Sequence, residues 1–206
     1  MRPDLLIGTF YFICMDNTFS IISTVIKNRR SIKPVAMNGN KIPNEQIEAL
    51  LELADWAPTH GYTEPWRFIV YENPSNFCLQ HAELYKQNNT GDNFVPAVYN
   101  NLMHQGDKAS HVIITMMKRG SLSKIPAFEE VAAASCAIQN LLLGATSLNI
   151  ASLWSTGGMA LKPAFKTFLQ LGEEDVVMGN LYLGYTDEYP EGKRTIPFEE
   201  KIKWIK

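Results

Sequence analysis

The sequence predicts an α+β fold in which helices flank a sheet. Three observations predict it. Runs suited to strands are few and are separated by longer stretches with apolar residues at helical spacing. One segment, residues 126–149, is rich in Ala and Leu and apolar nearly all round, which places it in the middle of the protein or at an interface between copies. Hydrophobic residues make up 46% of the chain against 19% charged, enough apolar material for one sizeable core.

The elements follow in order. Asn17 or Thr18 can cap a first helix running to about Asn28, with Phe19, Ile22, Val25 and Ile26 at helical spacing. Arg29 to Pro34 is extended, because a residue before proline avoids the helical region. Pro43 opens a second helix whose core stripe is Ile47, Leu50, Leu51 and Ala54, ending at Ala57-Pro58. A loop from Thr59 to Glu64 enters a strand at Trp66–Tyr71, with Trp66 in the core, and Pro74 with Ser75 starts another helix. Asn88 to Lys108 reads as one long irregular segment, a lid or a surface facing a partner. His111–Met117 is a buried strand, and the long apolar helix follows. Ala151–Trp154 is a short strand, Ser155–Gly158 a turn, Pro163–Leu169 a helix and Val176–Gly184 a strand. Tyr185–Lys206 reads as an extended arm. With no internal repeat or interior linker, residues 18–206 form a single domain with a C-terminal arm. Residues 1–17 read as an atypical N-terminal extension: Leu5–Cys14 is apolar but too short to span a bilayer, and no small-x-small cleavage pattern follows it.

Several classes of function lose support. The formal net charge is -2 and no long basic run occurs, so neither nucleic acid nor a membrane is an expected partner. The three cysteines, Cys14, Cys78 and Cys136, are far apart and form no C-x-x-C pair, which fits a reducing, cytoplasmic setting. Cys136 reads as a small core residue. His60, His81, His104 and His111 have no metal-ligand spacing, so no metal is expected. The sequence holds no G-x-S-x-G, G-x-G-x-x-G or G-x-x-x-x-G-K-[ST] pattern. An enzyme built on this chain would borrow its chemistry from a cofactor.

Two constellations stand out. In Arg29-Arg30-Ser31-Ile32-Lys33, guanidinium forks beside a hydroxyl suit a phosphate monoester, and in an extended segment Ser31 and Lys33 face one way. Alone, the motif equally describes a basic helix end that opposes the helix dipole. In Ala57-Pro58-Thr59-His60-Gly61-Tyr62-Thr63-Glu64-Pro65-Trp66, two prolines clamp a polar loop.

Together with Leu153-Trp154-Ser155-Thr156-Gly157-Gly158, the late strand Val177–Tyr185, and Lys193-Arg194 before Pro197-Phe198-Glu199-Glu200, these motifs resemble, in order, those of the nitroreductase family, over Phe19 to about Ile202. The likeness is strongest to its compact branch. It implies a nitroreductase-like fold with a mostly antiparallel central sheet, and an intertwined homodimer with two FMN sites shared between the chains. It also implies that Arg29, Arg30 and Ser31 bind the FMN phosphate and ribityl end, that Lys33 sits near flavin N1 and O2, and that Arg194 returns to the phosphate. His60 and Glu64 would reach the flavin from the partner, and Trp154, Ser155 and Thr156 would lie along its ring. Gly144, Ala145, Thr146, Ser147, Leu148 and Asn149 resemble the segment linked with nicotinamide-nucleotide binding.

The implied activity is transfer of a hydride from NADH or NADPH to FMN, then to a nitroaromatic, quinone or similar small-molecule acceptor, with no side chain acting as nucleophile or acid. Alternatives are a specialised chemistry of the family (enoate reduction, dehalogenation, flavin destruction) or a non-catalytic flavin-binding or storage protein. Two positions depart from the family's loop: Tyr62 stands where an Asn is usual and Glu64 where a Gln is usual. An ionised Glu accepts hydrogen bonds but donates none.

Overall fold

The computed structural model describes residues 17–206. The N-terminal stretch Leu5–Cys14, and nearly all of the predicted extension, lie outside the described residues. Asn17 and Thr18 are already helical, within a first helix, α1, covering residues 17–28.

Four strands, β1 (Trp66–Tyr71), β2 (His111–Met117), β3 (Ala151–Ser155) and β4 (Val176–Gly184), form one sheet of order β1-β2-β4-β3. Every neighbouring pair is antiparallel. The last strand in sequence therefore lies inside the sheet, between β2 and β3. Both middle strands are buried on both faces, which is why HVIITMM and VVMGNLYLG read as largely apolar runs rather than alternating ones.

Helices cover both faces. On one side the 21-residue α5 (Ala127–Ser147) packs against α2 (Asn44–Asp55), and Leu50, Ala54, Ile113, Ala137, Leu141 and Leu181 share one core. On the other side lie α3 (Pro74–Asn88), α4 (Pro96–His104) and α6 (Pro163–Phe168), with Phe77, Ala82, Val112, Ile114, Phe165 and Tyr182 in a second core. Trp66 is buried, and its indole N–H donates to Asp55 Oδ1 at 2.9 Å.

Two expectations are corrected. Residues 88–108 are not one irregular segment. Pro96 sits in the first turn of α4, and Leu102 is buried against the α3 side. Phe94 bridges the two helices by ring contacts at 5.9 Å to Tyr85 and to Tyr99. Cys136 is exposed rather than in the core. The apolar α5 is covered by the sheet and α2 on one side only, so Phe128, Ala132, Cys136 and Gln139 form an outward stripe at helical spacing.

The sheet also shapes one corner of the site. Pairing between β2 and β4 slips after Thr115, where Thr115 faces Gly179 but Met116 faces Val177. Met178 is the extra residue of this bulge. Gly179 has φ 127, and a side chain there would come within 2.7 Å of the Ser155 carbonyl and the Trp154 indole nitrogen. Only glycine lets the end of β3 approach β4 so closely.

Candidate functional site

The motif residues fall into two groups at opposite edges of the sheet. The first group follows the outer edge of β3. Residues 29–33 leave α1 in an extended path, and Ser31 bridges Ser152 in parallel, with the Ile32 N–H donating to the Ser152 carbonyl at 2.9 Å. Alternation then sorts the side chains. Ile32 and Pro34 are buried, Ser31 and Lys33 are exposed, and Arg29 is half-buried. The side chains of Arg29, Ser31 and Lys33 form no hydrogen bond or ion pair with any described residue. A guanidinium, a hydroxyl and an ammonium thus stand along one edge with their donors unspent.

Arg30 departs from them. Its Nε donates to the Pro190 carbonyl at 3.0 Å, and its Nη1 to the carbonyls of Lys27 and Arg29 at 2.6 and 3.0 Å. The side chain clasps the base of the C-terminal arm. It also lines a cleft of 550 Å³ bounded by Thr146, Ser147 and Asn149 at the end of α5 and by Glu188 and Glu191 of the arm. The expected nucleotide segment therefore borders the Arg30 cleft. Within it, Gly144 and Ala145 are buried, while Thr146 and Ser147 donate their hydroxyls to the carbonyls of Leu142 and Gly144. Leu148 and Asn149 cap a helix C-terminus, whose negative dipole end does not favour phosphate.

Beyond the Ser31 bridge the parallel register leads toward Trp154, Ser155 and Thr156. The Trp154 indole N–H is already spent on the Met178 carbonyl at 2.7 Å, and its ring packs on the α5-side core. Ser155 Oγ accepts from the Gly157 N–H at 3.3 Å, and Thr156 is exposed. A histidine fastens this turn from behind: the Met159 N–H donates to His81 Nε2 at 2.7 Å. His81 is buried between Phe77 and Phe165, with centroids at 5.0 and 5.5 Å. Burial pushes its imidazole down to about 4.

The second group is the loop before β1. Gly61, Tyr62 and Glu64 have φ of 62, 55 and 42. A left-handed backbone at two non-glycine residues costs about 1–3 kcal/mol each. Local bonds hold the loop against that strain. Thr59 Oγ1 accepts from the Glu64 N–H at 3.2 Å and pairs with Thr63 Oγ1 at 3.0 Å. Arg67 Nη1 donates to the Glu64 carbonyl at 2.7 Å, and His60 Nδ1 lies 2.7 Å from Glu129 Oε2. Tyr62 is 89% exposed, and the Glu64 carboxylate has no partner among the described residues.

Sequence reasoning missed what lies beneath this loop. Glu130, next to Glu129 in the first turn of α5, is buried. It accepts from Arg119 Nη1 and from the Gly120 N–H. Arg119 Nη2 also donates to the Ile125 carbonyl at 2.6 Å, and its backbone N–H to Asp175 Oδ1 at 2.8 Å. This network pins residues 119–125 to α5, and Leu122 and Ile125 crowd Gly61 from below. Acidic residues in a first turn favour the helix dipole, so nothing in the sequence set this pair apart.

The two groups do not meet within one chain. Three strand spacings, about 14 Å, separate β1 from β3. Arg194 lies on the exposed arm, with Nη1 donating to the Lys193 carbonyl at 3.1 Å.

This fold and these motifs have a known counterpart. The family described as the Nitroreductase family matches residues 26–185. The chain belongs to the nitroreductase family. YfhC of Bacillus subtilis, a relative with a provisional NAD(P)H nitroreductase name, is 27% identical over 202 residues, spanning 89% of this chain and 93% of its own. The structure of a nitroreductase-like protein from Bacillus cereus superposes with a TM-score of 0.77 at 26% identity, covering 89% of this chain and 95% of that one. A nitroreductase with bound FMN from Bacteroides fragilis aligns with a TM-score of 0.63 at 25% identity, covering 90% and 98%. The α+β architecture predicted from the sequence is the nitroreductase-like one. Among the described residues no helix is long and apolar enough to cross a membrane.

Proposed function

We propose that this protein is a cytoplasmic, homodimeric, FMN-dependent oxidoreductase. It takes a hydride from NADH or NADPH and passes the electron pair to a quinone, nitroaromatic or similar conjugated acceptor. One observation carries this reading. The unspent donors of Arg29, Ser31 and Lys33 stand at one edge of the sheet, and a strained loop offers His60, Tyr62 and Glu64 outward at the other. A second copy completes a site that one chain leaves in halves.

The donor set fits FMN. Arg29 and Ser31 supply a fixed charge and a hydroxyl to its phosphate, with Arg194 approaching from the arm. Lys33 supplies a positive charge where two-electron reduction builds up negative charge. Ser155 and Thr156 would border the ring of a bound FMN, Trp154 backs them through its Met178 bond, and Arg30 sets the path of the arm. When bound, FMN supplies the two-electron chemistry, and this chain's residues orient it, neutralise it and exclude water. Dimerisation is supported by Trp56, Phe128, Phe198, Trp204 and Ile205, all more than two-thirds exposed, apolar area that a second copy would cover.

The test is direct. The purified protein should be yellow, or become so with FMN, and should bleach within seconds of anaerobic addition of NADH or NADPH. Bound flavin that never bleaches would identify a storage protein. A colourless protein that cannot be reconstituted would defeat both readings.

A further inference from the structure

Electron transfer to a quinone or nitro group is incomplete without protons. A quinone that accepts a hydride becomes a hydroquinone only when its developing oxyanion also gains a proton. Among the described residues His60 and His104 each hold Nδ1 against a carboxylate, and of the two only His60 stands on the loop that the reading above turns toward the site. His60 stands on the over-determined loop, mostly exposed, with Nδ1 2.7 Å from Glu129 Oε2. A carboxylate accepts only, so Nδ1 carries a hydrogen, and Nε2 is the nitrogen left facing outward. Glu129 is itself fixed. It shares the first turn of α5 with buried Glu130, whose bonds to Arg119 and Gly120 anchor that turn. The local bonds that hold Tyr62 and Glu64 in the left-handed region keep the loop in one shape.

We propose that His60 is the proton donor to the reduced acceptor, and that Glu129 is the positioning residue that fixes its tautomer. This rests on the oxidoreductase reading above, in which the loop faces the partner's site. In the step, the acceptor takes a hydride originating from NAD(P)H. The Nε2–H bond of protonated His60 breaks, and an O–H bond forms on the acceptor oxygen that received the electron pair. The ring is left neutral, with its Nδ1–H still on Glu129, and its exposed face is reprotonated from water. The dyad is thus an orienting carboxylate behind an imidazole, a general arrangement for moving one proton at one atom.

The experiment compares two acceptors in the FMN-loaded protein. Benzoquinone needs protons, whereas ferricyanide takes one electron and none. His60→Gln and Glu129→Gln should each slow reoxidation by benzoquinone about tenfold or more, within the usual range for a general acid. In both variants the benzoquinone rate should fall at least tenfold relative to the ferricyanide rate of the same protein. His104→Gln is the control, because it removes a similar histidine–carboxylate pair, His104 with Asp107 at 3.0 Å, away from the loop. It should change neither rate. A readout independent of turnover is 15N NMR of histidine-labelled protein at high pH. His60 should be the Nδ1–H tautomer in the wild type and should shift toward Nε2–H in Glu129→Gln. Equal effects on both acceptors, no effect on either, or an Nε2–H wild-type tautomer would overturn the proposal while leaving the flavin reading intact. Failure to bind FMN at all would instead bring down the flavin reading, and the proton donor with it.

Discussion

At the residue scale, Glu64 carries the clearest consequence. Its side chain is exposed and without a partner among the described residues, on a loop held by backbone bonds on either side. Facing a reduced flavin, a carboxylate there raises the energy of the anionic form, and a neutral amide does not. Glu64→Gln should therefore raise the flavin reduction potential. A redox titration of the two proteins checks this, and an unchanged or lower potential would refute it. Individual residues were legible to different degrees. Ser31 and Lys33 could be placed from their spacing, because extended chains alternate. The same alternation turns Arg30 toward Pro190, a partner 160 residues away that no local pattern announces. Glu129 and His81 were invisible for the same reason: each acts through a contact distant in sequence.

At the element scale, β2 and β4 could be read to their ends, since buried strands bounded by turn residues leave little choice, and the more exposed β1 could be read because Pro65 and Asn73-Pro74 bracket its run of aromatic and β-branched residues. The α4 helix was hidden because its apolar residues pack under α3 through aromatic contacts rather than as a long periodic stripe. The turn after β3 should respond to pH through His81. His81 accepts from the Met159 N–H only while Nε2 is unprotonated, and burial holds its imidazole at about 4, below the ordinary 6.5. An unfolded chain takes up that proton earlier. Stability from this group is thus complete above pH 6.5, declines as pH falls, and levels off below 4, a total loss of about 3 kcal/mol. Urea midpoints measured from pH 7.5 to 4 should fall steeply in the wild type. The slope should be shallower in His81→Gln, which keeps an acceptor but does not titrate. Part of the slope should persist, because burial and the nearby Lys41 lower His111 in the same direction.

At the scale of the whole molecule, the exposed apolar side chains require an account that one chain does not give. Phe198, Trp204 and Ile205 on the arm are 69%, 85% and 87% exposed. Light scattering should report a dimer. Ending the chain after Arg194 removes all three. At about 1.5–3 kcal/mol for each large side chain buried, that loss should weaken the dimer at least a hundredfold and release FMN with it. A truncated chain that stays dimeric and yellow would show that the arm has another use.

The placement of β4 also bears on how the protein is made. A ribosome delivers the middle of this sheet last. Until residues 176–184 emerge, β2 has an unpaired edge and β3 has no strand to join. For several seconds at ordinary rates of synthesis, a strongly apolar strand, His111–Met117, stands open on one side. The nascent chain is then most exposed to chaperones and to aggregation, and the sheet closes only once β4 has emerged.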